Sequence, residues 1–204
     1  PPDYQIMAGD TMSRIFQALV PLLLIVSGCS GAPGEPPLAG ARIGGPFTLT
    51  DPNGKPVRDG DFAGKYRIVY FGYTYCPDIC PNDMLKIGQA MKTLDKQAPA
   101  KAKAIVPIFI TVDPERDTPG VVGEFVRNFD DRIVGLTGSP AAIAAVEKQY
   151  AVYAKKEAPG PNGAYLVGHS QIAYLMGKDG KPITSLPIEK DAAAVVEQLD
   201  HWVR

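Results

Sequence analysis

The segment that most constrains this chain is an apolar run that ends in two closely spaced, proline-flanked cysteines. Ile68-Val69-Tyr70-Phe71 leads through Gly72-Tyr73-Thr74-Tyr75 into Cys76-Pro77-Asp78-Ile79-Cys80-Pro81. The run is apolar enough for a strand in the middle of a sheet, and the residues beyond the cysteines have a helical period. Both thiols therefore fall where a strand gives way to a helix. In a regular helix, positions i and i+4 hold their Cβ atoms about 5–6 Å apart, whereas a relaxed disulfide wants about 3.5–4.5 Å. A metal ion bonded to both sulfurs can fill that gap. Pro77 and Pro81 disfavour a regular helix across the pair, so the spacing predicts an irregular turn over 76–80 with Pro81 as the first helical residue. Such a turn can close to a disulfide or open around a metal, and two buried structural cysteines are the plainer alternative. The partial positive charge of a helix N-terminus would favour thiolate over thiol.

The chain has three cysteines in 204 residues. The third, Cys29, closes Val26-Ser27-Gly28-Cys29, after Ser13-Arg14 and an apolar run from Ile15 to Val26. That run falls short of the roughly 20 apolar residues of a membrane span and fits the core of a secretory signal. Its last four residues resemble a bacterial lipobox, cut before a cysteine that becomes acylated. On this reading residues 1–28 are a signal peptide, 1–11 are an extension ahead of a natural start at Met12, and Cys29 carries lipid. An uncleaved N-terminal anchor is the alternative, and in either case the body faces an extracytoplasmic space. Cys76 and Cys80 are then the only thiols of the soluble body, too few for a disulfide scaffold. A single close pair fits a redox couple, a metal site, or both. The net charge of -1 offers no electrostatic footprint for nucleic acid.

Residues 29–44 are rich in Gly, Pro and Ala without a hydrophobic period, and read as the lipidated cysteine followed by a flexible tether. The domain is expected over 45–204. Phe47-Thr48-Leu49-Thr50 enters a tight turn at Asn53-Gly54 and predicts an N-terminal hairpin. Met84, Ile87, Met91 and Leu94 recur at helical steps over about 81–97, where core packing is a better reading than soft metal ligation. Residues 105–112 form a second buried strand, and Asp117 or Thr118 can cap a helix starting at Pro119. A short strand over 133–137 follows, then a helix capped by Ser139 with Pro140 at its first position. Residues 151–166, around Pro159-Gly160-Pro161-Asn162-Gly163, read as a mobile loop or loose hairpin. Residues 172–176 form a strand, and a last helix over about 189–203 presents Ala193, Val196, Leu199 and Val203. This alternation argues for a layered α/β sheet. A cysteine pair after the first central strand makes the arrangement thioredoxin-like, a central sheet flanked by helices with an N-terminal hairpin, although other open α/β sheets share the element order.

Only two histidines occur. His201 sits near the end of the last helix, as an ordinary surface or dipole-complementing residue. His169 lies between the flexible stretch and a buried strand. A two-thiolate site lacks a third ligand, and imidazole is the usual borderline donor, so His169 is the candidate ligand. Asp113, Glu115, Arg116 and Asp117 could hold a hard cation, but an internal Arg–carboxylate pair with a helix cap is the simpler reading. Phe71, Tyr73 and Tyr75 read as core and rim.

Three stretches together resemble the Sco/SenC family. They are Tyr70-Phe71-Gly72-Tyr73-Thr74-Tyr75-Cys76-Pro77-Asp78-Ile79-Cys80-Pro81, Val112-Asp113-Pro114-Glu115-Arg116-Asp117-Thr118-Pro119, and Gly168-His169-Ser170 ahead of the strand at 172–176. The resemblance covers roughly 45–203. It implies a thioredoxin-like copper-binding protein that assists assembly of the binuclear copper centre of cytochrome c oxidase, with Cys76, Cys80 and His169 as the copper ligands. It also implies, as partners, the copper-accepting subunit of the oxidase and an upstream periplasmic copper donor or thiol reductant. The signal-like segment and lipobox at 13–29 place the protein at the bacterial cell envelope, held to the membrane by the lipid anchor. A thiol–disulfide oxidoreductase using Cys76 and Cys80 to reduce the acceptor's cysteines is the rival reading. Two departures from the family pattern are Gly168, where an aspartate is common, and Tyr75, where a histidine often stands. A lipid anchor in place of a transmembrane one would be a third.

Overall fold

A computed structural model describes residues 34–160 and 162–204, together with Pro2 alone. The signal peptide, the extension at 1–11 and the acylation site at Cys29 lie outside the described residues. No helix among the described residues is long and apolar enough to cross a membrane.

Strand β3 (Tyr66–Gly72) is the axis of the domain. All seven of its residues are buried, because neighbouring strands and helices cover it on both faces. It pairs in parallel with β4 (Ile105–Thr111), which pairs in parallel with β5 (Val134–Leu136). On its other side β3 pairs antiparallel with β8 (Ala173–Met176), which pairs with β9 (Pro182–Leu186). The result is a mixed five-stranded sheet in the order β5-β4-β3-β8-β9, the thioredoxin-like arrangement expected from the sequence. The expected N-terminal hairpin is β1 (Thr48–Thr50) on β2 (Pro56–Arg58), turning at Gly54 with φ +78°. Alternation along β3 sends Tyr70 toward the cysteine-bearing helix and Phe71 to the opposite face, where its ring centroid lies 5.3 Å from that of Tyr150.

Helix α1 (Ile79–Gln97) buries Met84, Ile87, Met91 and Leu94 as its period demands, and packs on α5 (Ala192–Trp202). A five-residue helix α2 (Pro99–Lys103) joins α1 to β4. Helix α3 (Pro119–Arg127) packs on β5. In α4 (Pro140–Gln149) the Ser139 side chain accepts from the Ala142 N–H at 3.2 Å, the expected cap. Buried residues of α5 are Val195 and Leu199 with Val203 beyond it, so the inner face is rotated from the expected one and Ala193 is exposed. The alanine run at 192–194 left the helical phase open.

The tether expected over 29–44 is overturned for its described part. Leu38 and Ile43 pack against the core. The Leu38 N–H donates to the Ile183 carbonyl at the edge of β9 (3.0 Å), and the Gly44 N–H to the Gln149 carbonyl (2.9 Å). Two apolar anchors and backbone partners for an otherwise unpaired strap suffice to fix it, so the packed chain begins before residue 45.

Candidate metal centre

Beyond β3 the chain is held by a buried carboxylate. Asp117 accepts from the Thr74 N–H (3.0 Å), the Thr74 hydroxyl (2.6 Å) and the Thr111 hydroxyl (2.6 Å). The ends of β3 and β4 are thereby locked together at the base of the cysteine turn. Asp117 is fully buried and does not cap α3, whose N-cap Thr118 makes no side-chain bond. The Cys76 N–H donates to the Tyr73 carbonyl (3.3 Å), and Asp78 stands at the N-cap of α1. The helix starts at Ile79, two residues earlier than expected. Pro81 is tolerated as the third helical residue because the first four N–H groups have no intrahelical partner. Cys80 thus sits in the first turn, fully buried, and its N–H donates to Cys76 Sγ at 3.3 Å. Both thiols are free.

His169 arrives from the stretch read as a loose hairpin. It is a hairpin: β6 (Ala154–Lys156) pairs antiparallel with β7 (Val167–His169), His169 standing opposite Ala154. Just beyond the register the Ser170 N–H donates to the Tyr153 carbonyl (2.9 Å), and the Tyr153 N–H to the Ser170 hydroxyl (3.0 Å). His169 Nδ1 lies 3.0 Å from the Ser170 carbonyl oxygen. A carbonyl only accepts, so the proton belongs on Nδ1 and the lone pair on Nε2. That lone pair is aimed at Cys80 Sγ, 3.3 Å away. Cys76 Sγ, Cys80 Sγ and the imidazole nitrogen all lie within 4.8 Å of one another.

The protonation states suit ligation in different ways. Burial holds His169 below the usual imidazole range, in its neutral, ligating form. Burial also pushes the Cys80 thiol far up, with the bond to Cys76 adding to it. The helix N-terminus therefore does not make Cys80 a standing thiolate, contrary to the expectation from the sequence: desolvation outweighs the dipole. A bound cation would displace that proton.

The acidic loop is no hard-cation site. Arg116 pairs with Asp113, its guanidinium lies 3.6 Å from the centroid of the Tyr165 ring, and its Nη1 donates to the Tyr165 carbonyl (3.0 Å). Tyr165 in turn donates to Asp113 (2.9 Å), and Lys156 pairs with Glu115. The loop clamps the β6–β7 hairpin in place. His201 is exposed in the last turn of α5, against Trp202. Phe71 and Tyr73 are core, and Tyr75 is 55% exposed rim. A cavity of about 300 Å³ opens beside the ligand set, lined by Tyr73, Cys76, Ile79, Leu166 and His169. At Gly168, the place of one family departure, a Cβ would lie 3.4 Å from the carboxylate of Glu157, the residue just after β6. Gly72, which has no side chain to mark it as part of a site, lies where an added Cβ would be 3.1 Å from Cys80 Sγ.

A thioredoxin-like sheet, two thiols at a helix start and an imidazole from a neighbouring hairpin define a class of small α/β proteins with a soft, three-donor centre. Residues 35–204 match the SCO1/SenC family model. The SCO1 homolog 1 of Arabidopsis thaliana mitochondria is 45% identical over 146 residues, 71% of this chain and 42% of that protein. An SCO2-like protein of Rickettsia prowazekii is 36% identical over 76% of this chain and 75% of its own length. Among solved structures, Bradyrhizobium japonicum ScoI with copper bound is 40% identical, with a TM-score of 0.71 over 78% of this chain and 99% of that one. Yeast Sco1 with copper bound is 36% identical, with a TM-score of 0.72 over 79% and 88%. The chain belongs to the SCO1/SenC family. The matches span 42% of the Arabidopsis protein and 53% of the mitochondrial SCO2 of Saccharomyces cerevisiae, about half their length.

Proposed function

We propose that this protein binds one copper ion through Cys76, Cys80 and His169 and passes it to the copper-accepting subunit of cytochrome c oxidase. The observation that carries the reading is the juxtaposition of two free thiols and one Nε2 lone pair within 4.8 Å. The donor set fits: thiolate is soft, imidazole borderline, and together they suit Cu(I) and tolerate Cu(II), whereas hard ions prefer carboxylate and carbonyl oxygen. The copper held by the relatives from Bradyrhizobium and yeast supports it. Cys76 is only partly covered, and Tyr75, Ile79 and Leu166 beside it are exposed, so an acceptor's thiols have a side from which to approach. An upstream periplasmic copper donor would use the same open side.

A second reading rests on the unequal burial of the two sulfurs. Cys76 is reachable and receives an N–H bond, as an attacking thiol would, while buried Cys80 is placed to resolve the mixed disulfide. In that exchange an acceptor disulfide gains two electrons and two protons as Cys76 and Cys80 join, and a thiol reductant must restore the pair. His169→Ala separates the two functions: it should weaken copper binding sharply and leave disulfide exchange intact. Equal loss of both would leave the two functions unseparated, and copper binding that survives the change would overturn the assignment of His169 as a ligand. We propose also that residues 1–28 direct the chain to the bacterial cell envelope and that acyl chains on Cys29 hold it there. Mass spectrometry of the N-terminal peptide from membranes tests this, and an unmodified Cys29 would overturn it.

A further inference from the structure

Beneath the ligand set lies a carboxylate that no ligand role employs. Asp83 is one turn beyond Cys80 in α1 and only 1% exposed, among Met84 and Ile87. Its carboxylate accepts from three directions: the Tyr70 hydroxyl of β3 at 3.2 Å, the Gln171 side-chain amide at 2.9 Å, and Lys86 Nζ at 3.4 Å. Lys86 is itself tied to the Ile188 carbonyl. Burying a carboxylate is unfavourable unless it is fully hydrogen-bonded, and removing one donor then costs more than that single bond is worth. An apolar side chain would pack at this position without that liability.

The donors are what give Asp83 its consequence. Gln171 is two residues beyond His169, exposed in the short irregular link to β8, yet its amide turns inward to a group on the cysteine-bearing helix. The Tyr70 ring and Cys80 Sγ border the same space beside Gly72, where an added Cβ would meet them at 2.8 Å and 3.1 Å. One carboxylate thus joins the helix that carries Cys80, the strand beneath it and the segment that carries His169. We propose that Asp83 is a positioning residue, which through Gln171 holds the His169 imidazole over the Cys80 sulfur before a metal arrives. The inference rests on the reading of His169 as a ligand. Pre-placing an imidazole removes an ordering cost that would otherwise be subtracted from affinity, and outer partners of metal ligands carry about 10–100-fold in affinity.

Gln171→Leu in the full chain is the test, because the residue is exposed and its replacement takes one donor from Asp83 without opening a cavity in the core. Cu(I) affinity, measured by competition with a chromophoric chelator, should fall about tenfold. That loss should vanish when His169→Ala is already present, since Gln171 acts through His169. In the metal-free protein the His169 and Ser170 amides should exchange faster than in the parent. Asp83→Ala should reproduce both effects, and combining it with Gln171→Leu should add nothing. Parent-like affinity and parent-like exchange in Gln171→Leu would overturn the proposal. So would a loss of affinity that persists in the His169→Ala background, the mark of a general weakening. Should the parent take up no copper, the ligand reading fails, while the exchange of the metal-free amides still decides whether Asp83 and Gln171 fix His169.

Discussion

Gly72→Ala puts one methyl group into the tightest place around the centre. The new Cβ would lie 2.8 Å from Tyr70 Cε1, 3.1 Å from Cys80 Sγ and 3.2 Å from Phe109 Cε2. Favourable carbon contacts lie at about 3.5–4.0 Å, so each neighbour must retreat by several tenths of an ångström. The two rings cannot oblige easily: both are fully buried, and the Tyr70 hydroxyl is held by Asp83. The Cys80 side chain is the part left to move. Overpacking of this kind costs about 1–3 kcal/mol, and in a domain of this size each kcal/mol lowers Tm by about 2–4 °C. Sites lose productive geometry when a ligand shifts by about 0.5 Å, so copper affinity should fall as well, by about tenfold. A circular-dichroism melt of the metal-free protein and a Cu(I) competition titration read the two effects. A variant with parent-like Tm and parent-like affinity would refute the claim that Gly72 is the seat of Cys80.

Gly88→Ala should destabilise without touching the centre. Its Cβ would meet the Phe129 carbonyl oxygen at 2.8 Å, where α1 lies against the chain after α3, and backbone cannot swing aside. A loss of about 1–3 kcal/mol in denaturant unfolding, with copper affinity per folded molecule unchanged, is the expected result. Glu147 gives a pH dependence of defined sign. Burial pushes it from an ordinary 4.5 up to about 7, so between those values the folded chain holds more protons than the unfolded one. Its contribution to stability is present below about pH 4.5 and lost as pH rises toward 7. Glu147→Gln should therefore gain stability over the parent as pH is raised through that window, and parallel stability curves for the two would show the assignment of that proton to be wrong.

How much of this was legible in the sequence depended on whether a residue's fate was set by its own chemistry or by a neighbour's. Strand β3 was legible because an uninterrupted apolar run has few other places to go, and α1 because Met84, Ile87, Met91 and Leu94 keep a helical step. The candidate ligands could be named because the chain carries so few thiols and imidazoles that only one combination suits a metal, and their placement within 4.8 Å then follows from β6–β7 folding back. Where the chemistry was ambiguous, neighbours decided. Pro81 is compatible with either the first or the third helical position, and the alanines at 192–194 carry no phase. Leu38 and Ile43 look like isolated apolar residues in a Gly/Pro stretch until β9 and α4 offer them partners. Asp117 looked like a cap and is a tie between two strands. Asp83 and Gln171 are ordinary polar letters, and only the fold shows one buried and the other turned in to meet it.

The most direct test of the copper reading is the ligand shell itself, measured by X-ray absorption and electron paramagnetic resonance on the copper-loaded full chain. The expected result is one copper per chain with two sulfur neighbours from Cys76 and Cys80 and at least one nitrogen, that nitrogen disappearing in His169→Ala. A reduced protein that takes up copper in neither oxidation state, or a copper surrounded by oxygen and nitrogen alone, would contradict it.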